Sequence, residues 1–486
     1  MALVGSPTSF FVQNFGCRAA QADGAALEAA LQAKGFERVG QAAAADIVVL
    51  NTCTVTAAAD EDARQAIRRI HRENPCARIV VTGCYAQRAP RELAALPGVS
   101  WVVGNSHKHL ISDLVPLQPL ADQRGPAVAE PAGALTRSIR GVLPQPTKPL
   151  DSLREECDPG NLEFHGQILV SDISSQRRFL PVLGSRASEA SPAVIFDRTR
   201  PILKIQDGCD SRCSFCIIPS VRGRSRSAPP ELVLEQARVL ASQYREIVIS
   251  GINLGRWGQD LPGRPRLAGL LRILLEETSA ARLRLSSVEP MDWTDELLRL
   301  MAGDRRMARH IHAPLQSGSD RILRQMHRRY RASQYAERIE KAHAWMPDAA
   351  FGADVMVGFP GETKRDFEET FRLIEELPFT YLHVFTYSPR PSTPAAALAD
   401  QVPAQVKRQR NRLLRQLAQK KGEAFRRRWV GKRLSAITLD EPHPAGAVAL
   451  SENYIKVLIP GMRLPGNTIV EVEGVGLDGE FLTARS

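Results

Sequence analysis

The chain has 486 residues, enough for about three domains, and 43% hydrophobic residues to fill their cores. No apolar run reaches the ~18 residues that a membrane span needs, and the start, MALVGSPTSFFVQ, lacks the basic stretch of a signal peptide. The expectation is a cytoplasmic protein with no membrane partner, whose thiols stay reduced and serve more readily as ligands than as disulfides. The net charge of +11 has one origin: residues 407–433 hold twelve Lys or Arg against Glu423 alone, and bases and acids balance elsewhere.

Residues 1–115 alternate short apolar runs with helical patterns. Strands are expected at 9–12, 47–50 and 79–81, with helices at 20–34 and 57–73, where Leu27 and Leu31 or Ala63, Ala66, Ile67 and Ile70 recur at helical spacing. Such alternation means βαβ units and a parallel sheet. Cys17, Cys53 and Cys84, in NFGC, NTCTVT and TGCYAQR, each follow a strand by a few residues. Ligands of such sheets bind beyond the carboxyl ends of the strands. Three thiols delivered there suit an iron–sulfur cubane with one iron left open. Read singly, each could be a small buried core residue; their shared placement favours ligands. Cys76, in a turn beside Pro75, and Cys157 read as bystanders.

From 116 to 200 the periodicity fades and prolines crowd. This stretch is expected to be an insert or linker, with 167–173 and 179–183 as brief strands at most.

Residues 201–400 resume the βα alternation. Strands are expected at 202–206, 246–250, 283–287, 310–313, 353–357 and 382–386, and six parallel strands suggest an open (β/α)6 partial barrel. Just after the first strand, QDGCDSRCSFCIIPS sets Cys209, Cys213 and Cys216 in a C-x3-C-x2-C pattern. Three thiolates on a four-iron cubane leave an iron free to bind a small molecule. Zinc would want a fourth ligand nearby, and His165 and His310 are far off in sequence. Polar motifs follow later strands: SGINLGRWG (250–258), SSVEP (286–290), APLQSGSD (313–320) and VGFPGET (357–363). Strand ends are where a barrel places its chemistry.

The C-x3-C-x2-C stretch, with Phe215 before its third cysteine, resembles the radical S-adenosylmethionine (SAM) enzymes. Together with NFGC, NTC and TGC it resembles the methylthiotransferases, radical SAM enzymes that add a methylthio group to tRNA adenosine or to a ribosomal protein. The resemblance implies two [4Fe-4S] clusters, one on Cys209, Cys213 and Cys216 with SAM on its open iron, and an auxiliary one on Cys17, Cys53 and Cys84. It implies further that Phe215, Ser287, Glu289, Gly358, Gly361 and Glu362 line the SAM site, and that a flavodoxin- or ferredoxin-type donor supplies electrons. LKIQDGC, SGINLG and SSVEP look most like the branch acting on N6-threonylcarbamoyladenosine at position 37 of tRNA. The isopentenyladenosine and ribosomal-protein branches are the alternatives within the family. A non-catalytic iron–sulfur or zinc protein that binds RNA is the alternative outside it, and it leaves the barrel motifs unexplained.

The basic stretch 401–433 is helical by pattern, with Leu413, Leu414, Leu417 and Phe425 as its apolar side. A charge run is usually a solvated face, yet a balanced protein that concentrates its excess here suits a polyanion. Arg426, Arg427 and Arg428 are the candidate RNA contacts. Residues 434–486 read as a small β-barrel with strands at 433–440, 447–458 and 468–473. By resemblance it is the TRAM module that grips RNA.

Overall fold

The computed structural model describes residues 8–115, 166–177, 179 and 199–486. The described residues fall into two compact units. The first takes the described parts of Met1–Phe15, Leu27–Thr52 and Glu61–Ser171, and the second takes Gly16–Ala26, Cys53–Asp60 and the described parts of Asp172–Ser486.

The first unit holds a parallel sheet of β1 (Ser9–Asn14), β2 (Glu37–Arg38), β3 (Ile47–Thr52), β4 (Arg78–Gly83), β5 (Val99–Gly104) and β6 (Gln167–Leu169), in the order β2-β1-β3-β4-β5-β6. The central strand β3 is buried on both faces. Val48 and Leu50 pack with Ile67 and Ile70 on one side, while Ile47 and Val49 pack with Leu27 and Leu31 on the other. Each such side chain contributes about 1.5–3 kcal/mol on burial. Glu37–Arg38 and Val99–Gly104 were not anticipated, and Gln167–Leu169, expected as a brief strand within the insert, extends this sheet alongside β5. Of the 179–183 candidate only Phe179 lies among the described residues, and Cys157 lies outside them.

The expected boundary at 115 also misses two short segments, 16–26 and 53–60, which belong with the second unit. Ion pairs explain this. Asp23 is bound by Lys204 and Arg222, and Asp60 pairs with Arg390 at 2.9 Å. All five side chains are nearly inaccessible, so none of these charges can be left unpaired.

The second unit is built on the open six-stranded barrel. Its strands are β7 (Ile202–Asp207), β9 (Glu246–Gly251), β10 (Arg282–Leu285), β11 (His310–His312), β12 (Ala350–Val357) and β13 (Tyr381–Thr386). They are parallel in chain order, with a parallel bridge from Leu283 to Met307 leading from β10 towards β11. The short β8 (Arg226–Ser227) adds an antiparallel edge to β7. Alternate residues divide sharply by face. Leu203, Ile205, Ile247, Ile249, Leu283, Leu285, Ile311, Ala353 and Val355 pack outward against the helices. The residues between them, on the other face, include Lys204, Gln206, Glu246, Arg284, His310, His312, Asp354 and His383. The barrel's inner face is therefore polar and charged.

Helix Ala404–Arg427 buries Leu414, Leu417 and Phe425. It ends six residues earlier than the pattern suggested, and Leu413 is exposed rather than packed. A closed five-stranded barrel follows: β14 (Arg433–His443), β15 (Gly446–Ser451), β16 (Lys456–Pro460), β17 (Ile469–Asp478) and β18 (Phe481–Arg485), in the order β14-β15-β16-β18-β17. The single strand expected at 447–458 is two strands joined by a turn through Asn453 and Tyr454 (φ +64°). The last strand was missed altogether.

Candidate active site

The loop after β7 carries Cys209, Cys213 and Cys216. Gly208 makes its sharp departure from the strand possible, with φ +70° and no room for a Cβ, which would lie 1.9 Å from the Arg224 carbonyl oxygen. The Gln206 amide donates to the Gly208 carbonyl at 2.8 Å, and its oxygen accepts from the Asn253 backbone N–H at 2.7 Å. Asp207 Oδ1 accepts from Gly208 N–H and from Arg222, while its other oxygen pairs with Lys204 at 3.0 Å. Burial alone would push the Asp207 carboxyl up, but Lys204, Arg222 and Arg226 hold it well below the ordinary carboxylate range. On the far side of the loop, Ser214 donates from its backbone to the Met326 carbonyl (3.1 Å) and from its hydroxyl to that of Gln325 (2.7 Å).

The three sulfurs are free thiols with donors aimed at them. Ser211 N–H (3.4 Å) and the Asn253 amide (3.6 Å) face Cys209 Sγ, and Arg328 faces Cys213 Sγ at 3.4 Å. Arg328 is buried and forks onto the Glu289 carboxylate. Burial pushes the Cys213 thiol up and the Cys216 thiol to about 12. Such sulfurs stay protonated unless a metal takes the proton's place. Soft sulfur donors clustered in one loop and met by N–H groups fit an iron–sulfur cluster, whose potential such hydrogen bonds tune. A cavity of about 700 Å³ opens beside them, lined by Asp210, Cys213, Asn253, Arg256, Glu289 and Arg328 among others. Its size suits a cofactor-sized ligand.

The other residues expected around SAM are placed variously. Phe215 is half-buried against Ile322, Met326, Phe359 and Tyr387. Ser287 Oγ lies 2.6 Å from His312 Nδ1. Glu362 is buried, and its carboxylate binds Gly358 N–H within its own loop and Arg410 at 2.6 Å, so it is occupied in shaping that loop. Gly358 and Gly361 are the turn residues there, both at positive φ.

In the first sheet β1, β3 and β4 are neighbours, and Cys17, Cys53 and Cys84 each follow the carboxyl end of one of them. Gly16 (φ +97°) packs so closely on Cys53 that a Cβ would lie 2.7 Å from that of Cys53. Cys84 is buried, opens the helix Cys84–Arg88, and accepts from the Asn105 amide at 3.6 Å. The six free cysteines among the described residues are the two triads.

Arg427 pairs with Glu423 at 2.5 Å, and Arg428 faces Asp348 at 3.6 Å. Arg408, Arg412 and Arg415, which were not singled out, share one exposed helical face and line a groove of about 440 Å³ with Asn411, Gln416 and Thr386. Their i, i+4, i+7 spacing was the available signal.

Residues 203–374 match the Radical SAM superfamily, and 9–104 match a family described only as the uncharacterized protein family UPF0004. A radical SAM methyltransferase of Kitasatospora setae, solved with cobalamin and a [4Fe-4S] cluster, covers 80% of this chain and 77% of its own at TM-score 0.51 and 18% identity, which shows the shared fold. Fold and cysteine loop thus define a radical SAM protein, a class that works with SAM and a [4Fe-4S] cluster. The threonylcarbamoyladenosine tRNA methylthiotransferase of Aquifex aeolicus is 34% identical over 94% of this chain and 98% of its own length. The tRNA-2-methylthio-N(6)-dimethylallyladenosine synthase of Thermobifida fusca is 32% identical over 89% and 78%. The chain belongs to the radical SAM methylthiotransferase family.

Proposed function

We propose that the protein transfers a methylthio group to C2 of N6-threonylcarbamoyladenosine at position 37 of tRNA. The observation that carries this reading is the pair of free-cysteine triads in a chain that spans nearly the whole Aquifex relative. Cys209, Cys213 and Cys216 hold the [4Fe-4S] cluster that binds SAM; Cys17, Cys53 and Cys84 hold a second, sulfur-delivering cluster. When bound, these groups supply the one-electron chemistry that removes hydrogen from an unreactive carbon and replaces it with sulfur.

The protein's own residues position and insulate. Asp207 and Gln206 fix the cluster loop, while Arg328, neutralised by Glu289, donates to Cys213 at the wall of the cavity that takes SAM. Ser287 and Glu289 line the SAM side, Phe215 braces the loop from behind, and Glu362 holds the Gly358–Gly361 turn in shape. The arginine face of Arg408, Arg412 and Arg415, with Arg426 to Arg428 further along the helix, meets the tRNA backbone together with the TRAM-like barrel. A flavodoxin- or ferredoxin-type protein supplies electrons. Among the described residues no helix is long and apolar enough to cross a membrane, consistent with work on tRNA in the cytoplasm.

Mass spectrometry of tRNA nucleosides from a strain lacking the gene tests this. The 2-methylthio derivative of threonylcarbamoyladenosine should vanish and its unthiolated parent accumulate. Loss of the methylthio isopentenyladenosine instead would move the protein to the other branch.

A further inference from the structure

The inner face of the barrel carries three buried charge clusters, and two have evident structural roles. Glu246 gathers Arg200, Arg282 and Arg284, and Arg284 also donates to the carbonyls of Ser451 and Glu452 of the small barrel. Lys204, Asp207, Arg222 and Asp23 fasten the cluster loop. The third cluster has no such task. Asp354 of β12 lies between His312 of β11 (Oδ1 to Nε2 3.4 Å) and His383 of β13 (Oδ1 to Nδ1 3.1 Å), with no Lys or Arg among the described residues paired to it. His312 is held from behind by Ser287 at 2.6 Å, yet its buried Nε2 makes no hydrogen bond. The Tyr381 ring packs beside both imidazoles, with centroids 5.7 and 5.4 Å away. His383 is half exposed and leaves its Nε2 edge open.

This is an under-satisfied polar group on the inner face of the barrel, shared by the adjacent strands β11, β12 and β13. With Nδ1 turned to the Asp354 carboxylate, the doubly protonated His383 ring presents Nε2–H as a directed donor, whereas the neutral ring presents Nε2 as an acceptor. A group offering a carboxylate to His383, and a hydroxyl or urea N–H to the second oxygen of Asp354, would satisfy both side chains. An apolar substituent would leave all of them unmade.

We propose that His383 and Asp354, positioned by His312 and Ser287, read the polar N6 substituent of the target adenosine, with His383 binding its carboxylate. The inference rests on the threonylcarbamoyladenosine reading and names the side chains that enforce it.

Reconstituted holoenzyme would be assayed on anticodon stem-loop RNAs bearing threonylcarbamoyladenosine, its methyl ester, or isopentenyladenosine. The wild-type protein should lose about 10- to 100-fold in kcat/KM when the carboxylate is esterified. His383→Leu should lose a similar factor on the acid and treat acid and ester alike, with iron content and RNA-independent 5′-deoxyadenosine formation unchanged. His383→Gln, which keeps a donor, should recover part of the preference and serves if the Leu variant assembles poorly. A merely structural role would depress all three substrates equally and would overturn the proposal. So would a wild-type enzyme indifferent to the ester, or a third stoichiometric metal, beyond cluster iron, that the His383 variants lose. Turnover of the isopentenyl RNA alone would instead remove the substrate reading and this inference with it, an outcome distinct from the others.

Discussion

Cys209, Cys213 and Cys216 lie within eight residues of one loop, whereas Cys17, Cys53 and Cys84 are separated by 36 and then 31 residues and leave three different strands. The loop triad is held by buried charge: Asp207 anchors its first turn through Lys204 and Arg222, and Arg328 reaches one of its sulfurs. The strand-end triad depends on backbone geometry, with Gly16 packed on Cys53 and Cys84 opening a helix after β4. A site carried by one loop can be disturbed by one charge. The second site proposed at the strand ends should fail only when the strands move or one of its cysteines is removed.

The sharpest break in that contrast is Cys209→Ala, which should abolish 5′-deoxyadenosine formation and all methylthio product in an anaerobic assay with full-length protein. Asp207→Asn comes next. It keeps shape but strips Lys204 and Arg222 of half their partner charge inside the protein, at a cost of about 3–5 kcal/mol. Displacing the loop by even an ångström can cost ~100-fold in rate. Iron attributable to the strand-end triad, assayed in a Cys209→Ala background, should be unaffected by the Asn substitution. Equal iron loss from both triads would show that the two are not held independently.

The pH dependence of stability separates the barrel's fixed charges from its open ones. Burial pushes Glu246 up, but Arg284, Arg200 and Arg282 outweigh it and bring its carboxyl down to about 2, from an ordinary value near 4.5. A depressed folded-state pKa gives stability that is complete above the unfolded value and is lost as pH falls from 4.5 towards 2. Over that window the loss amounts to roughly 3 kcal/mol. Thermal melts should fall steeply there, and Glu246→Gln, already destabilised at neutral pH, should show a flatter decline. The smallest effect concerns the basic helix. Replacing Arg408, Arg412 and Arg415 with Gln should lower the slope of log affinity for tRNA against log salt by up to about 3, because fewer counterions are released. The same change at Arg426, Arg427 and Arg428 should lower it less, since Arg427 and Arg428 already face acids.

Much of this was legible because it is written locally. C-x3-C-x2-C, the three strand-end cysteines and the six βα repeats are short-range patterns, and they marked the barrel and both triads. What escaped is long-range. Asp23 and Asp60 sit on ordinary amphipathic helices, and only Lys204, Arg222 and Arg390 reveal that their segments belong with the second unit. Gln167–Leu169 was expected as a brief strand, but nothing local says that its partner is β5. The polar inner face has a local signal, the alternation in RLRL and HIH, that went unread, and which of those residues are fully paired and which keep an open edge depends on three strands meeting.

The most direct measurement is made on the variant with Cys17, Cys53 and Cys84 all changed to Ala. With tRNA binding shown intact, the anaerobic enzyme should still cleave SAM to 5′-deoxyadenosine yet form no 2-methylthio nucleoside. Methylthio product at the wild-type rate would contradict the division of labour between the triads and return the three strand-end cysteines to the rank of core residues.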